Sequence, residues 1–128
     1  MAYYFSKLLE MKFDDAVAQV TRALAAKGFG VLTTIDVRTT MKIKLGVELA
    51  PYTILGACNP HFAWRALQAE DKIGTMLPCN VVVREAKPGT VEVAALDPVA
   101  SMTAIDNPAL SSIASEVRHL LQETVAGL

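Results

Sequence analysis

The dipeptide Asn-Pro occurs twice, at Asn59-Pro60 and Asn107-Pro108, and each copy opens a run of apolar residues at helical spacing. Asparagine accepts from the free amides of a first helical turn, and proline at the next position pre-sets φ where no N–H is needed. Two helix starts are therefore pinned. After Asn107-Pro108, residues Leu110, Ile113, Ala114, Val117, Leu120, Leu121 and Val125 form a stripe with a period of 3.6, as in a long helix buried along one side. After Asn59-Pro60, the helix runs to about Ala69 and is expected to bury Phe62, Ala63, Ala66 and Leu67.

The segments between these starts read mostly as strands. Tyr3 to Met11 alternates loosely through Tyr3, Phe5, Leu9 and Met11. Asp14 and Asp15 then open a helix carrying Val17, Val20 and Leu24, which Lys27-Gly28 ends with a basic residue and a left-handed stop. Phe29 to Val37 is rich in β-branched residues and is expected to return beside the first strand. Met41, Ile43, Leu45, Val47 and Leu49 alternate as in a strand, yet Thr39-Thr40 and Gly46 bound a short helix; a helical turn is the reading preferred. Residues 51–58 form a strand entered by Pro51. Residues 79–84 and 90–96 pair as a hairpin across the turn Lys87-Pro88-Gly89. Asp97-Pro98 reads as a turn. The order fits an α+β, two-layer sandwich, an antiparallel sheet with helices on one face.

At 128 residues with no linker or low-complexity stretch, residues 1–128 are expected to form a single domain with one core. An apolar content of 52% exceeds what that core needs, and a homodimer interface is the expected use of the surplus. The net charge of −1 is spread over interspersed acids and bases, so no nucleic-acid partner is expected. No apolar run approaches the roughly 18 residues that cross a bilayer, and no membrane partner is expected. The start Met1-Ala2-Tyr3-Tyr4-Phe5-Ser6-Lys7 lacks the pattern of an export signal, which points to the cytoplasm and to free thiols.

Chemistry concentrates around the two cysteines, Cys58 and Cys79, each followed by asparagine. If strands 51–58 and 79–84 are antiparallel, the helix after Asn59 is an excursion from a widened hairpin, and both sulfurs reach the same sheet edge. Cys58, beside a helix start, is expected to have a lowered pKa, and Cys79, opening an apolar strand, a raised one. The plainer alternative is two small hydrophobes under a helix, with Asn59 and Asn80 serving the local backbone. His61 lies close to Cys58, but no further ligand pattern accompanies it and no metal is expected. His119, between Glu116 and Glu123, reads as surface pairing. Trp64 and Arg65 suit a recognition surface or a dimer rim, and Arg38, Lys42 and Lys44 a solvated basic face without a phosphate loop. Asp36, Glu70, Asp71 and Asp97 are scattered and suit strand ends or helix caps.

Taken together, Gly28-Phe29-Gly30-Val31-Leu32-Thr33, Leu45-Gly46-Val47 through Pro51-Tyr52, Ile54-Leu55-Gly56-Ala57-Cys58-Asn59-Pro60, Ala66-Leu67, Leu77-Pro78-Cys79-Asn80-Val81-Val82-Val83 and Asp97-Pro98 resemble the domain-of-unknown-function 302 family. The resemblance spans nearly the whole chain. It implies a TATA-binding-protein-like β-α-β(4)-α fold, usually homodimeric, and carries no established activity, catalytic residue or cofactor. Likeness to a DNA-binding fold is no warrant for DNA binding, because function belongs to sites. The expectation is a homodimeric binding or accessory domain whose Cys58, Asn59, Cys79 and Asn80 line a small-molecule pocket. A thiol redox or metal-handling role for Cys58 and Cys79, and a purely structural module, are the alternatives.

Overall fold

Five apolar runs become five strands in a computed structural model that describes residues 2–128. In chain order the elements are β1 (Tyr4–Glu10), α1 (Phe13–Ala26), β2 (Gly30–Asp36), α2 (Val37–Leu45), β3 (Tyr52–Cys58), α3 (Pro60–Ala69), a 3-10 turn (Ile73–Met76), β4 (Cys79–Lys87), β5 (Thr90–Leu96), α4 (Pro98–Met102) and α5 (Pro108–Ala126). With the short helices set aside, this is β-α-β(4)-α. The strands form one sheet of order β1-β5-β4-β3-β2, antiparallel throughout.

That order corrects one expectation. β2 does not lie beside β1; the two are opposite edges of the sheet. The length of α1 makes this feasible: 14 residues at 1.5 Å each give about 21 Å, close to the ~19 Å spanned by four inter-strand spacings. α1 thus carries the chain across the sheet, β2 to β5 pair in sequence as a meander, and β1 adds beside β5.

One sheet face is buried under helices. Leu9, Leu55, Val81, Val83 and Val93 point into it and meet Val20 and Leu24 of α1 and Leu110, Val117 and Leu121 of α5 in one apolar cluster. The other face follows the two-residue alternation outward, presenting Tyr4, Leu8, Ile35, Tyr52, Ile54, Val82 and Leu96, none of which is buried.

The helix starts show the capping chemistry directly. Asn107 Oδ1 accepts from the Ala109 amide at 3.1 Å. Asp97-Pro98 proves to be a third copy of the device rather than a plain turn: Asp97 Oδ1 accepts from the Val99 amide at 3.0 Å and opens α4. The reading of residues 39–45 as helical holds, because Asp36 accepts from the Thr39 amide at 3.0 Å and Gly46, at φ 66°, ends α2 in the left-handed region. α1 ends as expected on Gly28, at φ 86°. α3 buries less than expected. Only Ala66 is fully covered, and Leu67 is 42% exposed, because α3 sits at the rim of the sheet rather than across it.

Candidate functional site

The rim where β3 ends and β4 begins is the most chemically distinct place in the fold. β3 and β4 are antiparallel, with Ala57 opposite Cys79, so the chain leaves the sheet at Cys58 and returns at the same edge. The excursion between them is α3 and the 3-10 turn, ending in a cis Leu77-Pro78 peptide. Both cysteines are free thiols, Cys79 buried and Cys58 partly so.

Beneath α3 lies an apolar cavity of about 30 Å³. Cys58, Asn59 and Cys79 line it from the sheet rim, Phe62 and Ala66 from α3, Met102 from α4, and Ile113 and Val117 from α5. This volume holds one or two waters, well below the 300 Å³ or more of a drug-sized site. A polar occupant would find few partners there, whereas a methyl-sized apolar group fits.

One half-exposed ion pair crosses from the roof to α5. Arg65 on α3 pairs with Glu116 on α5 at 3.0 Å and lies 5.4 Å from the centroid of the Phe62 ring. Arg65 is half-exposed in this pair, and Trp64 beside it is 66% exposed. Away from the cavity, Arg118 donates to Asp97 at 3.1 Å and lies 5.3 Å from the centroid of the Phe5 ring, joining α5 to the start of α4.

Of the four residues expected at the site, three arrive there. Asn80 does not: strand alternation puts it on the outer face, exposed, near Tyr52, Val82 and Arg84. Asn59 stands at the start of α3, but its side chain makes no capping bond; instead Nδ2 donates to Lys27 O at 3.5 Å, tying the rim to the end of α1. The expected lowering of the Cys58 pKa is also corrected. Burial pushes the Cys58 thiol up, and burial first, then the neighbouring Cys58, pushes Cys79 up to about 11. Desolvation outweighs the helix end because the sulfur shares an apolar cavity, where the thiolate loses water and gains no donor.

His61 is exposed, and among the described residues no three His, Cys, Asp or Glu side chains converge as metal ligands. His119 pairs with Glu123, which also holds Lys27 at 2.8 Å. Lys42 pairs with Glu48 at 3.4 Å, and Asp36 and Asp97 are helix caps. Met102 carried no signal in the sequence and Pro98 stood out only as part of a turn, whereas Ile113 and Val117 were visible in the helical stripe.

The model of a family described as "Domain of unknown function DUF302" matches residues 5–128. The chain belongs to the DUF302 family. A solved structure of an uncharacterised conserved DUF302 protein from Bacillus stearothermophilus is similar over 98% of each chain, at 26% identity and a TM-score of 0.89. No curated protein matches. The likeness to that structure shows that the two chains share one fold, and membership brings no activity. No helix among the described residues is long and apolar enough to cross a membrane.

Proposed function

We propose that this DUF302 protein is a homodimeric binding or accessory domain that holds a small apolar group at the Cys58/Cys79 rim. The observation that supports this is the cavity itself. It is apolar, it lies at the edge of the sheet rather than at the centre of the core, and its roof α3 buries a single residue fully. A rim helix with so little buried surface costs little to displace, so the hollow can widen to admit the end of an acyl or alkyl chain. Cys58, Asn59 and Cys79 would meet that ligand, with Phe62 and Met102 opposite. Two unpaired thiols suit a reducing compartment, and the cytoplasm is the location we assign.

Methyl NMR tests the reading. With short-chain alcohols from propanol to hexanol as probes, the Met102, Ile113 and Ala66 methyl resonances should shift saturably, while Val93, deep in the sheet, stays still. Ala66→Leu, which fills the hollow, should abolish the shifts. If no cavity methyl responds across the series, the pocket is simply imperfect packing.

A second reading rests on the shared rim: Cys58 and Cys79 are close enough for charge on one to raise the other. A thiol pair so placed suits reversible redox or metal handling, although raised pKa values leave little thiolate at neutral pH.

A further inference from the structure

The connection between β2 and β3 carries exposed apolar side chains, the outer sheet face carries Tyr4, Leu8, Ile54, Val82 and Leu96 around the ion pair Arg84–Glu92, and no element among the described residues covers that face. In the connection, α2 has no buried residue. Ile43 and Leu45 are 77% and 69% exposed, and Val47 and Leu49 after it are also open. Isolated helices below about 12–15 residues are marginal in water, and helices in proteins draw most of their stability from a packed apolar face. α2 has nine residues. Its two caps fix its ends, and Val37 and Met41 are half-buried, whereas Ile43 and Leu45 meet only solvent.

The amount of uncovered surface matches a specific use. A folded monomer of 13.7 kDa is expected to expose about 6,600 Å². This chain exposes 7431 Å². The surplus of about 800 Å² is what one partner contributes to a standard interface. A two-fold axis satisfies both features together, since each copy offers one arm and one face. A net charge of −1 puts no strong repulsion between two copies.

We propose that residues 37–50 are a dimerisation arm, with Ile43 and Leu45 of one copy seated on the outer sheet face of a second copy around Leu8 and Val82. This rests on the homodimer reading above and assigns the surfaces that make the dimer. The arm is helical because the partner's sheet completes its missing core.

Sedimentation of the full chain tests it, comparing the wild type with an arm variant, Ile43→Glu/Leu45→Glu, and a face variant, Leu8→Glu. The wild type should be a dimer at micromolar concentration, and the arm variant should weaken the dimer by about 1,000-fold or more, since four apolar side chains leave the interface. Because the arm substitutions touch no buried residue, the variant should keep a cooperative melt. Mixing the two variants should restore part of the dimer, because one intact arm can still meet one intact face. Hydrogen exchange of the wild-type amides at 41–49 should accelerate on dilution through the dissociation range. A wild type that is monomeric at 100 µM, far above about the micromolar range expected of a stable dimer, overturns the arm and the homodimer together. A dimer unaffected by Ile43→Glu/Leu45→Glu overturns the arm alone, and a monomeric arm variant beside a dimeric Leu8→Glu overturns the assigned face.

Discussion

Replacing Gly56 by alanine should unsettle the rim more than a single methyl normally does. Gly56 lies on β3 two residues before Cys58, opposite Asn80 on β4. A Cβ there would run into Thr33 Oγ1 and stand 2.8 Å from Pro78 Cγ. Carbon atoms prefer about 3.5–4.0 Å, so the ring or the strand must move by most of an ångström. Thr33 is exposed on an edge strand and can turn to another staggered rotamer, whereas Pro78 can move its Cγ only by changing ring pucker or shifting the backbone. Overpacking of this kind costs about 1–3 kcal/mol. At about 2.1 cal/mol/K per residue over 128 residues, that is a fall in melting temperature of about 4–11 °C. The assay is thermal circular dichroism at one protein concentration for Gly56→Ala, Thr33→Ala and the double variant. The double variant should recover part of the loss, with a coupling of about 0.5 kcal/mol or more, because it removes the hydroxyl but leaves Pro78 in place. Displacing Pro78 also moves Cys79, so Gly56→Ala should speed Cys79 alkylation. A Gly56→Ala protein melting within about 1 °C of wild type would refute the close approach on which this reasoning depends.

The raised Cys79 pKa makes alkaline stability a second readout. A thiol whose folded value lies above its ordinary 9.0, at about 11, contributes stability that is intact below pH 9 and lost as pH climbs from 9 to 11. Two pKa units correspond to about 2.7 kcal/mol, and Cys79→Ala should flatten that part of the denaturation profile; an unchanged slope would rule Cys79 out as its source. Alkylation by iodoacetamide at neutral pH should modify Cys58 before Cys79, both more slowly than in the urea-unfolded chain. A native Cys58 that reacts as fast as the unfolded thiol would contradict its desolvation and favour the redox reading.

Local signals identified most of the elements. Asn107-Pro108 announced α5 through capping and φ restriction, Asn59-Pro60 announced α3 through the proline alone because Asn59 makes no capping bond, and the α5 stripe announced its buried side because a helix repeats every 3.6 residues. Gly46 carried the right reading of α2 against a strict two-residue alternation, since a left-handed stop ends a helix whatever its apolar pattern, while the cap is Asp36 and Thr39-Thr40 lie inside the helix. The same local logic failed at Asp97-Pro98, where a capping pair looked like a turn because only five helical residues follow. It failed again at Leu67, whose exposure depends on how far α3 overhangs the sheet.

What the residues determined alone was the five strands and the four longer helices, most of their ends, the apolar surplus and the presence of two thiols near one helix. Tertiary structure decided what no local pattern contains: that β1 and β2 stand at opposite edges, that Asn80 turns away from Cys79, and that Cys58 loses water faster than it gains from the helix end. The division has a simple cause. Caps, turns and periodicity depend on neighbours within a few residues, whereas strand order, desolvation and uncovered surface depend on which distant segments arrive alongside.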